Sequence, residues 1–433
     1  MATTVPPSSA QAEASTDDPA GRRTALRQVL DGPNAEVNNR AREWLSDPKN
    51  TPRPDLPMEE HREQVLAWTK ELASEGDTGI GFPVEYGGEN DVNRFVAAFE
   101  TLAFGDLSLL VKVGVQFGLF GGAVLHLGTK KHHDAYLRDV MSVDLPGCFA
   151  MTESGHGSNV QSLRTTATYD PKTEEIVVTT PDDDARKDWI GNAARDGRMA
   201  AVFAQLIVGG EERGVHCVLV PLRDEAGEPL DGVRIEDCGA KLGLDGVDNG
   251  RIWFDEVRVP RDNLLDRYAE IRDDGTYFSA IENPTKRFFT MLGTLIQGRV
   301  SVCGASVYAT KVAQTIAVRH ALARRQFGPP DSDEEVPLMR YRTHQRRLLP
   351  ALAKTYALHF AQEQLRGRLH DVFTQDEPPD REKRELETMA AQLDDGDSIE
   401  QLALPRRVGR DVPLAEGRRS LPARGTVLEH ALD

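Results

Sequence analysis

The sequence has little cysteine, no long apolar run and no excess of positive charge. Its four cysteines, Cys148, Cys217, Cys238 and Cys303, share no metal-binding or redox spacing. This pattern indicates a reducing, cytoplasmic setting in which they pack as small apolar groups. No run of eighteen apolar residues occurs, so no membrane span is expected. With 52 basic and 69 acidic residues the net charge is −17, which argues against nucleic acid as the main partner but allows a local site for an anion.

The two ends of the chain differ in composition from the rest. The first twenty residues are rich in proline, serine, threonine and alanine and lack the apolar segment of a secretion signal. We therefore expect a disordered tail over residues 1–32. The last four residues, His430 to Asp433, do not form a peroxisomal-type tripeptide, so no address of that kind is expected.

Hydrophobic periodicity divides the remaining chain into three regions. Residues 33–145 have a helical period, as in the amphipathic stretch Glu59–Glu71. Residues 146–275 change to a period of two, with short alternating segments separated by turn residues. Those segments span residues 166–169, 175–179, 200–204, 215–220 and 251–255.

The helical period returns over residues 276–392, with long stretches at 288–322 and 339–372 that suit a helical bundle. The predicted fold is therefore mixed α and β, with an N-terminal helical domain, a middle β-barrel or sandwich, and a C-terminal helical bundle. From residue 393 to 433 the period is lost and no tryptophan, phenylalanine or cysteine occurs. We treat this stretch as an atypical tail and expect the bundle to be incomplete.

The densest concentration of site-like residues is Cys148–Asn159, where glycines alternate with serine, threonine and histidine. Such a loop can cradle an anionic or heteroaromatic ligand through backbone N–H groups, and it can equally be a plain turn between domains. It is a poor nucleophile elbow, because the run from Gly155 to Asn159 lacks the closing glycine. The nearby His132–Asp134 run fits a solvated helix face better than a metal site.

Several motifs, in order along residues 35–392, together resemble the acyl-CoA oxidases of the acyl-CoA dehydrogenase/oxidase superfamily. They are Gly81-Phe82-Pro83-x-Glu85-Tyr86-Gly87-Gly88, Thr152-Glu153-x-Gly155-His156-Gly157-Ser158, Lys187-Asp188-Trp189-Ile190-Gly191-Asn192, Val259-Pro260-Arg261-Asp262-Asn263 and Arg324-Arg325-Gln326-Phe327-Gly328. The order of the domains is similar as well.

The resemblance implies FAD as the cofactor. Thr152 would hydrogen-bond the pyrimidine side of the flavin, Gly157 and Ser158 would let the chain pass close to it, and Trp189 would lie beside the ring. Without the resemblance, Trp189 reads as an ordinary core tryptophan. Gly191 stands where the dehydrogenase branch usually has threonine, which resembles the oxidases and would leave space for dioxygen.

Four further residues receive roles from the resemblance. Arg324 and Gln326 would contact the FAD pyrophosphate of the second subunit in a homodimer, and Phe327 would pack on the dinucleotide. The planar donor fork of an arginine suits a pyrophosphate. A basic helix end is the plainer reading of Arg324. Arg299 would lie near the acyl-CoA, with a surface-helix role as its alternative.

The implied reaction is the α,β-dehydrogenation of an acyl-CoA with dioxygen as the electron acceptor. It needs a carboxylate base, which in this family is a glutamate in a Phe-Glu-Gly-type segment, and this sequence contains no such segment. The catalytic base is therefore unknown. Three functions stay open: an acyl-CoA oxidase, an acyl-CoA dehydrogenase that reduces a carrier flavoprotein, and an inactive, truncated or frameshifted homologue.

Overall fold

Helices at both ends of the chain enclose a β-module in the computed structural model. It describes residues 19–396 except 54, 294–295, 331 and 376–378, and not the side chains of 19, 380 and 392–396. Residues 1–18, and the part of the expected atypical tail from 397 to 433, lie outside the described residues. The tail was expected to begin at 393, but the last helix continues to Gly396.

The N-terminal helical region matches the predicted helices closely. It contains α1 (Pro19–Asp31), α2 (Ala35–Ser46), α3 (Met58–Ser74), α4 (Val92–Leu102), α5 (Leu107–Val113), α6 (Gly121–Leu127) and α7 (Lys130–Ser142). The expectation of a disordered tail to residue 32 is wrong over residues 19–31, which form α1. The sequence gives little sign of this helix, because most of its side chains are exposed and its apolar residues are few.

A π-helical segment, Gly114–Phe120, joins α5 to α6, so that one continuous helix runs from Leu107 to Leu127. Among the described residues, this is the one helix long and apolar enough to cross a membrane by length and composition. Its most apolar window is 72% buried inside the protein, as in the core helix of a folded domain. Packing against neighbouring helices and β1 accounts for that apolar character.

The β-module consists of two main sheets and a small hairpin. Its strands are β1 (Gly147–Ala150), β2 (Thr166–Asp170), β3 (Glu175–Thr179), β4 (Lys187–Ile190), β5 (Met199–Val208), β6 (Glu211–Pro221), β7 (Val233–Asp237), β8 (Gly250–Phe254), β9 (Val257–Pro260), β10 (Glu270–Ile271) and β11 (Tyr277–Phe278). The larger sheet has the order β1-β5-β2-β3-β9, with β6 on the other side of β5, and β4-β8-β7 forms the second sheet. Both sheets contribute to one buried cluster, which confirms the predicted sandwich.

The strands β5 and β6 form a wall between the two hydrophobic cores of the protein. Because side chains alternate along a strand, Ala201 and Phe203 of β5 face the helical core while Val202 and Ala204 face the β core. Strand β6 alternates in the same way. Burial on both faces explains why this hairpin is almost continuously apolar and why it fixes the β-module against the helices.

The C-terminal region consists of α8 (Pro284–Leu292), α9 (Ile296–Ala323), α10 (Arg342–Phe373) and α11 (Asp380–Gly396). The helices α9 and α10 pack against each other and against α4. Helix α10 continues through Pro350. The three long helices confirm a bundle.

A buried ion pair joins α4 to α10 inside this bundle. Arg366 Nη1 lies 2.6 Å from Glu100 Oε2, Gln362 Nε2 donates to Glu100 Oε1 at 2.6 Å, and neither charged side chain is exposed. Gly304 of α9 packs directly on this carboxylate, because a Cβ on Gly304 would lie 2.0 Å from Glu100 Oε1. Close approach of α9 to α4 therefore requires glycine at residue 304.

We predict that Gly304→Ala lowers the free energy of unfolding by about 2 kcal/mol, because the added methyl group overpacks a site that the ion pair holds rigid. Gly367→Ala on α10 is the matched control. A Cβ there would meet no atom within 4 Å, so better helix propensity should raise stability by up to about 1 kcal/mol. Urea unfolding followed by circular dichroism measures both. Equal effects of the two substitutions would contradict this account of the helix packing.

Candidate active site

The glycine-rich loop predicted from the sequence follows β1. The Thr152 hydroxyl donates to Asp188 O at 2.9 Å, and Asp188 N donates to Thr152 O at 3.1 Å. Gly157 and Ser158 are exposed, and a Cβ on Gly157 would meet no atom within 4 Å. Within the described ranges, no hydrogen-bond acceptor faces the N–H groups of residues 157–159. The loop thus combines a fixed threonine with open backbone donors.

Trp189 lies at a bulge in β4, where the pairing with β8 shifts register between Lys187 and Ile190. Its φ of +61° is in the left-handed region, and its side chain is 58% exposed. Asn249 Nδ2 donates a hydrogen bond to the Trp189 carbonyl oxygen at 3.0 Å. Bulges of this kind redirect a side chain beside active sites. The plain reading as a core tryptophan is wrong, because more than half of the side chain is exposed.

Gly191 follows β4 and packs against the π-helical segment. A Cβ on Gly191 would lie 2.8 Å from Val115 Cγ2. The sequence suggested that this glycine leaves space beside the flavin; in the structure, the nearest neighbour of a Cβ at that position is the Val115 side chain. Val115 was not predicted, and only the three-dimensional packing brings it next to Gly191.

A buried lysine fixes this helix to the β-module. Lys112 Nζ lies 2.6 Å from Asp196 Oδ2 and 2.7 Å from Asp248 Oδ1, and all three side chains are buried. Asp248 Oδ2 also accepts from Asp196 N at 2.9 Å. Burial alone would raise the pKa of Asp196, but the Lys112 ammonium beside it holds that pKa below its usual range. Lys112 is one residue from the end of α5, so the cluster sets the position of the π-helical segment.

Gln116 makes a second link between the same segment and β1. Its Nε2 donates to Val140 O and Leu145 O at 3.0 Å, and its Oε1 accepts from Gly147 N at 2.8 Å. The π-helical turn allows this buried amide to reach three backbone groups at once. Single π-helical turns inside an α-helix are frequent at functional sites.

The helix α9 also packs against the π-helical segment. A Cβ on Gly298 would meet Leu119 Cδ2 at 3.9 Å, and the next residue is Arg299. Arg299 is exposed, and its guanidinium has no ion-pair partner among the described residues. The exposed position fits both readings of this arginine, as an anion ligand or as a surface residue.

An open pocket of about 590 Å³ lies where α6, α8, α9, α10 and α11 meet. Its lining combines aromatic rings with four cationic side chains, namely Arg267, Lys286, Lys383 and Arg384, and one acidic side chain, Glu387. Burial, with a smaller contribution from nearby Arg267, lowers the pKa of His126 to about 4, so the His126 ring in this wall is neutral at pH 7. Ile296 also lines the pocket, three residues before Arg299. Aromatic rings and exposed cations suit an anionic ligand that carries a flat or apolar group.

The remaining predicted residues lie on the connection between α9 and α10. Residues 324–326 pair with residues 336–338, with Gln326 N donating to Val336 O at 3.0 Å and Leu338 N donating to Arg324 O at 2.8 Å. Arg324, Gln326 and Phe327 are exposed, and Phe327 is 72% exposed at a φ of +55°. No hydrogen bond, ion pair or ring contact between described residues joins them to Thr152 or Trp189.

The structure therefore groups part of the predicted site. Thr152, Trp189 and Gly191 come together through the reciprocal hydrogen bonds to Asp188, while the 324–327 group stands apart. Within the described residues, no cluster of histidine, cysteine or acidic side chains could hold a metal ion. Lys112 and Val115 were missed, since their role depends on contacts across more than seventy residues of sequence. A lone lysine inside an apolar helix was the available signal for Lys112.

Three family models match the chain in the order of its three regions. They are the acyl-CoA dehydrogenase N-terminal domain over residues 34–144, the acyl-CoA dehydrogenase middle domain over 148–257, and the acyl-CoA oxidase C-alpha1 domain over 292–395. Fold and matches together define a protein of the acyl-CoA dehydrogenase/oxidase class.

Individual relatives narrow this class. Peroxisomal acyl-coenzyme A oxidase 2 of Arabidopsis thaliana is 47% identical over 322 residues, which is 71% of this chain and 46% of the relative. Acyl-CoA oxidase 3 of Yarrowia lipolytica superposes with a TM-score of 0.72 at 33% identity, over 86% of this chain and 55% of that one. Acyl-CoA oxidase-2 of Caenorhabditis elegans, solved with FAD, ascaroside-CoA and ATP, superposes with a TM-score of 0.69 at 25% identity, over 88% of this chain and 60% of that one.

The chain belongs to the acyl-CoA oxidase family. It spans about half the length of the curated relatives it matches.

We predict that Gly191→Ala destabilises the protein by about 1–3 kcal/mol, because the new methyl group overlaps Val115. Val115→Ala in the same chain should recover part of that loss. A double-mutant cycle from urea unfolding should give a coupling energy of about 1 kcal/mol in favour of the pair. Strictly additive losses would show that Val115 does not limit the side chain at residue 191.

Proposed function

We propose that the chain forms the flavin- and thioester-binding part of an FAD-dependent acyl-CoA oxidase. This enzyme would convert acyl-CoA to trans-2-enoyl-CoA and reduce dioxygen to hydrogen peroxide, as in fatty acid β-oxidation. The observation that carries the proposal is the junction at Asp188, which ties Thr152 of the glycine-rich loop to the strand of the exposed Trp189. This junction lies in a chain whose family is established by its domains.

The residues at the junction fit FAD. Trp189 offers an exposed aromatic face, and Gly157 leaves space beside the backbone. The N–H groups of residues 157–159 donate to no acceptor among the described residues and can bind a ligand. The Thr152 hydroxyl proton is already donated to Asp188 O, so its oxygen is left to accept a hydrogen bond from a ring N–H. FAD bound there would supply the acceptor for a hydride from the substrate β-carbon.

The pocket beside α9 fits the anionic part of an acyl-CoA. Four cationic side chains line it, while Ile296 places its inner wall one helical turn from Arg299. Coenzyme A carries phosphates and an adenine ring, which match cations and aromatic rings respectively. The thioester would then lie toward Arg299 and the π-helical segment.

Dioxygen as the acceptor rests on the relatives reported above, which are named acyl-CoA oxidases. The dehydrogenase alternative would need an electron-carrier protein, and no described feature favours one. The α-proton needs a carboxylate base within hydrogen-bond reach, and the Phe-Glu-Gly-type segment of the family does not occur in this sequence. An inactive homologue is the second candidate, which the activity test distinguishes.

Two further assignments belong to the same proposal. The exposed Arg324, Gln326 and Phe327 form no contact with the junction of their own chain, which supports FAD contact across a homodimer. A reducing compartment such as the cytoplasm is supported by four free cysteines.

The direct test mixes the purified chain with FAD and saturated acyl-CoA in air and records flavin absorbance and peroxide. We expect the chain to retain FAD, and peroxide formed with turnover would identify the oxidase. Anaerobic bleaching with turnover only on an artificial acceptor would identify a dehydrogenase, and a preparation that retains no flavin would identify the non-catalytic homologue. Substrate binding is read from the concentration of acyl-CoA at half-maximal bleaching.

The same titration locates the substrate. Arg384→Ala, in the pocket wall, should raise the half-maximal acyl-CoA concentration about fivefold at low salt, since one exposed charge pair is worth about 1 kcal/mol at most. Arg381→Ala is the matched control, because Arg381 is on the same helix and pairs with Glu385 outside the pocket lining. Equal effects of the two variants would place the anion elsewhere.

A further inference from the structure

An ion pair lies fully buried underneath the proposed flavin site. Lys187 Nζ lies 2.9 Å from Glu153 Oε1, and neither side chain has any exposed surface. Lys187 is the first residue of β4, two positions before Trp189, and Glu153 directly follows Thr152. The pair therefore connects the two segments that the flavin would contact.

Both partners are fully hydrogen-bonded. Lys187 Nζ also donates to Phe203 O at 2.7 Å and Met151 O at 3.2 Å, which uses all three of its protons. Glu153 accepts from Thr165 N at 2.9 Å, Thr165 Oγ1 at 2.7 Å and Arg164 N at 2.8 Å. These contacts clamp both ends of the loop over residues 151–165 to β4 and β5.

Burial lowers the pKa of Lys187 to about 8, and the Glu153 carboxylate limits that fall. Burial would raise the pKa of Glu153, but the Lys187 ammonium and the Thr165 and Arg164 donors hold it below its usual range. Both groups are thus mainly charged at pH 7. Buried pairs contribute little net stability compared with apolar residues of the same shape, so this pair is better explained by the geometry it imposes.

We propose that Lys187 is a positioning residue, which through Glu153 fixes the 151–165 loop relative to the strand of Trp189 and so sets the shape of the flavin site. This inference rests on the proposed function. Direct hydrogen bonds between Thr152 and Asp188 set the near end of the loop. The ion pair sets its far end, at Arg164 and Thr165, and thereby the path of the open stretch through Gly157.

The test compares Lys187→Met, Glu153→Gln and the double Glu153→Gln/Lys187→Met variant. We expect Lys187→Met to raise the FAD dissociation constant about tenfold and to shift the visible spectrum of the bound flavin, as loss of a supporting residue does at other sites. The double variant leaves no unpaired charge and should regain thermal stability, yet its FAD affinity should stay low.

Arg366→Met is the matched control for Lys187→Met, since it also leaves a buried carboxylate unpaired but its ion pair lies in the helical bundle. It should lower thermal stability without changing FAD affinity. If the control weakens FAD binding as much as Lys187→Met does, the loss of FAD affinity comes from general destabilisation and the proposal is overturned. So would a folded Lys187→Met variant with unchanged affinity and unchanged loop cleavage.

Loop cleavage is measured without FAD. Trypsin should cut after the exposed Arg164 at least about tenfold faster in Lys187→Met than in the wild-type chain. Without Lys187, Glu153 is no longer held in place to accept the hydrogen bond from Arg164 N. If the wild-type chain binds no FAD, the proposed function fails, and the cleavage rate alone decides whether Lys187 positions the loop. Unchanged cleavage at Arg164 in that case rejects the positioning role.

Discussion

The buried Lys112 ammonium is the interaction on which the arrangement of the site depends. Lys112 lies in the last turn of α5, and its ammonium forms ion pairs with Asp196 and Asp248, both in loops of the β-module. Removing one partner of such a pair costs about 3–5 kcal/mol, because the remaining charge stays buried. The strength of this link explains how a single helix can present Val115 to Gly191 and Leu119 to Gly298.

Around that link, a tightly packed interior holds the few groups that are exposed at the proposed site. The wall of β5 and β6 serves two cores, so the β-module cannot shift against the helices without opening both. Two buried ion pairs add to this packing: Lys187 joins the glycine-rich loop to β5, and Arg366 joins α10 to α4 in the bundle. Trp189 and the 157–159 backbone remain exposed on this rigid base, which is the arrangement a large planar cofactor requires.

The sequence predicted the order of the regions, the strands and most helices, because period and turn residues are local signals. The predicted stretch Glu59–Glu71 forms most of α3, while α1 was missed for lack of an apolar face. Thr152, Trp189 and Gly191 were found through motif resemblance, and the structure brings them together. What stayed hidden were contacts over long separations, such as Lys112 with Asp248 and Gly304 with Glu100. Roles for Arg324, Gln326, Phe327 and Arg299 remain predictions.

Hydrogen–deuterium exchange of the chain with and without FAD tests the central claim most directly. If the junction at Asp188 is the flavin site, FAD should slow exchange in residues 152–159 and 187–192, whose backbone amides are exposed or adjoin the exposed Trp189. The far strand β7, over Val233–Asp237, should exchange at the same rate in both states. Protection of β7 by FAD, or no protection at either of the two segments at saturating FAD, would contradict the account.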